Sequence, residues 1–327
     1  MNRIHLLCQQ TLMKTLKLLS TLLILLSYPG IGNAQPPSQL SKVYTSESPQ
    51  VLAPGLISTL QGEYSATYDS SRDELYFMRR TPGVFDYTIY TSRLTKKGWT
   101  TPAVVSFSGK YRDAAPYLSP DGNTLFFDSK RPSPEVAPNS INIWYSKRTK
   151  KGWGKPEFLV APSINSEDEP VVGQDEFGPA VDAKGTLYFY SFREPYRGGA
   201  HYTSTPPNYK TIRLNTALPD PSSRTFVSYL YISPDGKLAL LEGRATDRRD
   251  TDIFCSCKTQ DGSWTTPMAL PMINTRANEG GPSLTTDGKY ILFTSNRASG
   301  NSSALNANLY IAKATSFIAN CRAKAEK

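Results

Sequence analysis

The chain has 327 residues, a formal net charge of +9, two His and four Cys. A His-built metal site needs two or three His, and only His201 lies beyond the leader, so that class of metalloenzyme is excluded. The basic excess is mild once Arg3, Lys14 and Lys17 of the leader are set aside, and it suits an anionic glycan, lipid headgroups or an acidic protein better than nucleic acid.

From Met13 the chain reads MKTLKLLSTLLILLSYPGIGNA: Lys14 and Lys17, an apolar stretch over 18–26, a Pro-Gly break, then small residues Gly32 and Ala34. This is the pattern of a secretory signal peptide cleaved after Ala34, so residues 1–34 are expected as a leader with its true start at Met13. The apolar stretch is shorter than the ~20 residues a spanning helix needs, and no other long apolar run follows, so no membrane span is expected. Cys8 precedes the apolar stretch and cannot be a lipidated lipoprotein Cys. The mature chain is expected to be exported, periplasmic or secreted, and not a lipoprotein. Residues 35–48 read as a flexible linker and 316–327 as a C-terminal tail.

Between these ends one pattern recurs. Its units centre on Gly122 (SPDGNTLFF), Gly185 (DAKGTLYFY), Gly236 (SPDGKLALL) and Gly288 (TTDGKYILF), with a degenerate copy at Arg72 (SSRDELYFM). The spacings are 50, 63, 51 and 52 residues. Apolar runs on either side of an Asp-Gly turn predict a β-hairpin, because both residues tolerate positive φ. A third run follows each hairpin: TIYTS at 88–92, NIWYS at 142–146, AHYTS at 200–204, DIFCS at 252–256 and NLYIA at 308–312. A fourth follows where Trp and Pro recur three apart, as in Trp99/Pro102, Trp153/Pro156 and Trp264/Pro267. Four short strands per unit predict an all-β propeller over 49–315, with five blades and six as the alternative count. The segment PQVLAP at 49–54 resembles the fourth strand PEFLVAP at 156–162, so an N-terminal strand is expected to complete the last blade and close the ring.

The whole pattern runs from an acid through Pro, Asp-Gly-Lys, Phe-x-Ser-x-Arg, Asp-Ile-Phe and Gly-x-Trp-x-x-Pro to Ile-Asn, and 252–297 carries it most completely. It resembles the WD40-like repeat of TolB-type propellers, over about residues 45–315. Members of that family are often six-bladed, so five blades is a departure. The resemblance implies an exported, non-catalytic propeller that docks other envelope proteins. The family also includes lyases and the propeller caps of serine peptidases, so fold alone does not assign a function.

Eight residues before each turn Asp, or its equivalent, stand Glu63, Asp113, Glu176, Val227 and Glu279. At the end of each second strand stand Thr81 (with Arg80 beside it), Arg131, Arg193, Arg244 and Arg297. In a propeller both positions open on one face. Repetition in every blade marks Glu63, Asp113, Glu279, Arg131 and Arg297 as a structural ring of Arg–carboxylate pairs, because structural motifs repeat and binding sites are asymmetric. The ligand-binding candidates are Glu176, Arg193, Arg197, His201 and Arg244, on blades three and four where the repeat is broken. Val227 replaces the blade-four acid, Tyr196, Arg197 and His201 cluster in blade three, and about 12 residues are inserted around 166–176. The inserted acids Glu167, Asp168, Glu169, Asp175 and Glu176 could hold Ca²⁺, but they lack EF-hand spacing and are expected as a solvated acidic loop. His201, among aromatics, is expected as a packed strand residue.

No G-x-S-x-G elbow, P-loop, dinucleotide fingerprint or Cys-rich zinc spacing is present. Beyond the leader lie Cys255, Cys257 and Cys321; any bridge would join Cys321 to one of the other two, with three reduced thiols as the alternative. The expected function is a monomeric, cofactor-free binding module that docks a protein or envelope glycan, with no catalytic or metal-ligating residues assigned. The alternative is a glycan-active hydrolase or lyase using carboxylates at the propeller mouth.

Overall fold

The computed structural model describes residues 38–81, 86–134, 139–159, 175–192, 199–206, 209, 212–215, 229–244, 250–298 and 306–326. The leader and most of the acidic insertion lie outside them. Strand β1 (Gln50–Val51) precedes blade one, which holds β2 (Glu63–Asp69), β3 (Glu74–Arg80), β4 (Tyr87–Thr95), β5 (Gly98–Trp99) and β6 (Ala103–Val104). Blade two is β7 (Asp113–Leu118), β8 (Thr124–Ser129), β9 (Asn142–Thr149), β10 (Gly152–Trp153) and β11 (Glu157–Phe158). Blade three is β12 (Glu176–Val181), β13 (Leu187–Ser191), β14 (Ala200–Ser204) and β15 (Arg213–Leu214). Blade four is β16 (Leu230–Ile232), β17 (Leu238–Arg244), β18 (Thr251–Cys257) and β19 (Met268–Ala269). Blade five is β20 (Glu279–Leu284), β21 (Tyr290–Ser295) and β22 (Asn308–Lys313), and β1 completes it as its fourth strand. The closure has Gln50 opposite Ile311 and Val51 opposite Tyr310. The result is a five-bladed antiparallel propeller.

The hairpin turns form because Gly122 and Gly288 both sit at φ +70°. Blade one lacks that glycine, and Asp73, one residue on from Arg72, takes φ +53° instead. The second strands supply the core between sheets. Leu75 and Phe77, Leu125 and Phe127, Leu187 and Phe189, Ala239 and Leu241, and Ile291 and Phe293 alternate along them, all buried. Each such large side chain contributes about 1.5–3 kcal/mol by leaving water.

The innermost strands carry a shared irregularity. Register slips between Tyr64 and Ala66, Ala114 and Tyr117, Phe177 and Ala180, and Gly280 and Ser283. At these bulges Ser65, Ala115, Gly178 and Gly281 take positive φ. Their N–H groups turn away from their own sheet, and the neighbouring blade must satisfy them.

Both chain ends depart from the sequence expectation. The described part of the expected linker is folded: α1 (Leu40–Val43) buries Leu40, and Tyr44 is buried beside it. Tyr290 of blade five donates its hydroxyl to the Tyr44 carbonyl at 3.0 Å, while Trp99 of blade one donates to the Tyr44 hydroxyl at 3.2 Å. The segment thus straddles the seam that β1 closes. The expected tail is α2 (Thr315–Ala325), which buries Phe317 and Cys321. Cys321 forms a disulfide with Cys255 of blade four, and Cys257 stays free and buried.

Candidate functional site

The repeat acids meet the repeat arginines on one face. Arg131 Nη2 donates to both Asp113 oxygens, at 2.9 and 3.0 Å, and Arg297 Nη2 donates to Glu279 Oε1 at 3.1 Å. Blade one differs from the aligned expectation: Glu63 pairs with Arg79, at 2.9 Å, and not with the residues at 80 and 81. Arg79 lies directly across the ladder from Glu63, where blades two and five place Ser129 and Ser295. The cation there comes from the cross-strand position itself, so no Arg is needed two residues later.

Each acid is also tied to the loop before its strand. Thr59 and Thr275 donate both N–H and hydroxyl to Glu63 and Glu279, and the Ser108 hydroxyl donates to Asp113 at 2.8 Å. Each arginine reaches back to a loop carbonyl, of Ile57, Phe107 or Ile273. Their guanidinium planes lie over Tyr90, Trp144 and Tyr310 of the third strands. Burial pushes the Glu63 and Asp113 carboxyls up, against the pull of these hydroxyls and arginines. This set of contacts fixes the loops, and it leaves the three acids fully buried and unavailable to a ligand.

A second ring of positions comes one residue before the Ser129 and Ser295 ladder position. There Met78, Asp128, Glu242 and Thr294 accept the bulge N–H of the adjoining blade. Ala115 donates to Met78 Sδ at 3.4 Å, Gly178 to Asp128 at 3.2 Å, Gly281 to Glu242 at 3.0 Å and Ser65 to Thr294 at 3.2 Å. A thioether, a hydroxyl or a carboxylate does this work, so charge is not required. Two of the four are nonetheless carboxylates. Asp128 is neutralised by Arg112, which donates Nη1 to its other oxygen.

Glu242 lines a cavity of about 210 Å³ where blades four, five and one meet on this same face. Tyr64, Tyr87 and Tyr229 wall it, with Asn278 and Asn296 beside them, and no Lys, Arg or His is among the lining residues described. Tyr64 and Tyr87 pack edge to face with centroids 5.7 Å apart. The Asn278 carbonyl accepts the Thr251 N–H at 3.1 Å, and the Asn296 carbonyl accepts the Asn278 N–H at 2.9 Å. Gly280 runs so close beneath Glu242 that a Cβ there would collide with Oε2. Burial pushes the Glu242 carboxyl up to about 7, with only the Gly281 N–H pulling it back. Burial raises the Tyr229 phenol well above the usual range; Asp128 and, more weakly, Glu242 add to this, and Arg112 pulls the other way.

The sequence candidates lie elsewhere or outside view. Arg193, Tyr196, Arg197, Val227 and the insertion acids 167–169 fall outside the described residues. Glu176 opens β12, buried, at the position of Asp113 and Glu279. Asp175 of the suggested Ca²⁺ loop accepts the Ile141 N–H at 2.8 Å. His201 packs edge to face on Tyr190, and burial lowers its imidazole to about 4. Arg244 is exposed at the end of β17, across from Thr251 of the cavity wall. Glu242 was missed. Its signal in the sequence is an acid ending the apolar run LALLE, as Asp128 ends LFFD.

The sequence matches no protein-family model and no curated protein. Solved structures are similar in fold. One described as a glycoside hydrolase has TM-score 0.52 and 11% identity, over 85% of this chain and 95% of that one. A thermostable family-43 glycoside hydrolase has TM-score 0.51 and 12% identity, over 81% and 92%. TolB from Acinetobacter baumannii has TM-score 0.45 and 15% identity, over 78% of this chain and 55% of that structure. The chain is a five-bladed β-propeller. It spans about half the length of the TolB structure, and at these identities the likeness to each neighbour is one of fold. No helix of the propeller is long and apolar enough to cross a membrane, among the described residues.

Proposed function

We propose that this propeller is an exported, non-catalytic module that docks a partner in the cell envelope through the mouth where blades four, five and one meet. The observation that carries the reading is the contrast between acids at that face. Glu63, Asp113 and Glu279 are locked to arginines and loop hydroxyls, while Glu242 lines a walled cavity with no Lys, Arg or His among its described lining residues. Glycoside hydrolysis needs a pair of carboxyl groups flanking one bond. Glu242, raised to about 7, has the acidity of a general acid, but Asp128 on the same ring is engaged by Arg112 and Gly178. That favours binding over hydrolysis. A protein partner is preferred to a glycan because a single carboxylate in an aromatic-walled cavity suits one anchored side chain.

The test uses the tagged full chain against envelope extract, with wild type, Tyr229→Ala and the double variant Lys96→Glu/Lys150→Glu in parallel. The lysines sit on the third-to-fourth strand turns, away from this mouth. The reading expects a partner held by wild type and by the lysine variant, and lost with Tyr229→Ala at unchanged fold. Loss with the lysine variant instead, or release of aryl glycosides that Glu242→Gln abolishes, would overturn it.

A further inference from the structure

We propose that the cavity at the blade four–five–one mouth is a receptor for a primary ammonium group, and that its natural occupant is a lysine side chain of the docked protein. The inference rests on the docking reading above and names what the mouth selects. Four bulge positions need only an acceptor, and Met78 and Thr294 supply a neutral one. A carboxylate at Glu242 therefore exceeds what the fold requires. In blade two the same excess charge is balanced from within, by Arg112. In blade four no Lys, Arg or His is among the described lining residues of the Glu242 cavity; Tyr64, Tyr87 and Tyr229 form part of its wall, and Arg112 meets that wall only through the Tyr87 ring, 5.8 Å from its centroid.

Glu242 is half-buried, and a desolvated carboxylate without a counter-ion is costly, so a ligand cation removes part of that cost as it binds. Aromatic faces reinforce the same preference, since their quadrupoles attract ammonium groups when water is excluded. The side-chain carbonyls of Asn278 and Asn296 each accept a backbone N–H, and Glu242 is the carboxylate among the described lining residues. A cavity of about 210 Å³ fits a butyl chain lying against tyrosine rings with its ammonium at Glu242, and it is smaller than sites for drug-sized ligands, which run to roughly 300–1,000 Å³. Gly280 leaves the carboxylate the room it occupies, and the Gly281 N–H holds it there at 3.0 Å.

The test titrates the full chain with Nα-acetyl-lysine methylamide, with its Nε-acetylated form and with glucosamine, following binding by NMR. The lysine amide is expected to bind about tenfold or more tightly than the Nε-acetylated form, and Glu242→Gln to remove that preference while Glu242→Asp keeps part of it. The comparison of probes on wild type stands even if a variant folds poorly. Equal binding of charged and neutral probes, absence of lysine-amide binding, or tighter binding of glucosamine would overturn the assignment. The partner capture separates the two levels. A partner lost with Tyr229→Ala but retained by Glu242→Gln leaves docking intact and removes the ammonium, whereas a partner retained by both removes docking itself.

Discussion

Asp128 and Glu242 stand at the same position in blades two and four, each accepting a glycine N–H from an adjoining inner strand. Their ion pairing differs. Arg112 closes the charge of Asp128 inside the fold, whereas the described lining of the Glu242 cavity holds aromatic rings and amides but no Lys, Arg or His, Arg112 reaching only the Tyr87 ring of its wall. The same contrast separates Glu242 from Glu63, Asp113 and Glu279, whose arginines and loop hydroxyls consume them. In a repeat protein a carboxylate paired within its own blade is part of the scaffold. An acid at a repeated position that needs only a neutral acceptor, with no cation among the described residues of its cavity lining, is where the fold leaves something for a ligand to complete.

The strongest way to break the comparison is to make blade two resemble blade four. Arg112→Met leaves Asp128 buried without its cation and should cost about 3–5 kcal/mol in urea unfolding, because an uncompensated buried charge remains. Adding Asp128→Asn should recover most of that loss. If Arg112→Met alone is neutral, Arg112 is not what distinguishes the two sites.

The second way reads Glu242 through pH. Its folded carboxyl titrates near 7 against 4.5 for the free group, so the folded state holds a proton that the unfolded chain has released between those values. Stability from this group is full below about 4.5 and falls as pH rises through 7, by about 2–3 kcal/mol. Tyr64, Tyr87 and Tyr229, which share the cavity, are raised by burial and stay neutral in that window. The difference between wild type and Glu242→Gln isolates the effect. His201 acts in the opposite sense. Its imidazole is lowered to about 4, so its contribution is present above about 6.5 and is lost as pH falls toward 4.

How much of this was legible in the sequence follows from what each feature depends on. Blade number and closure rest on local chemistry, the Asp-Gly turn and the matching fourth strands, and could be read directly. The ring pairs Asp113–Arg131 and Glu279–Arg297 were legible because both partners recur at fixed spacing. Glu63–Arg79 was not, since the cross-strand register supplied the cation two residues early. The structures at 40–43 and 315–325 depend on pockets for Leu40, Tyr44, Phe317 and Cys321 that exist only once the blades have assembled. Glu242 was hidden for a related reason. Its role depends on an N–H presented by a bulge 39 residues later, in the next blade.

Two smaller effects sharpen the contrast. Gly280→Ala should cost no more than about 1 kcal/mol, because its Cβ meets only the end of the Glu242 side chain, and Glu242→Ala in the same chain should relieve that clash. Arg244→Glu, at an exposed strand end, should change stability by no more than about 0.5 kcal/mol in thermal or urea unfolding.

The most direct measurement is the NMR titration of the Glu242 side-chain carboxyl carbon in the full chain, alone and with Nα-acetyl-lysine methylamide. A carboxylate that the fold leaves without a cation titrates near 7 in the free protein and moves down toward the ordinary carboxylate range as the ammonium binds. Titration near 4.5 in the free protein, unchanged by the amide, would show that the fold already neutralises Glu242 and would contradict the account.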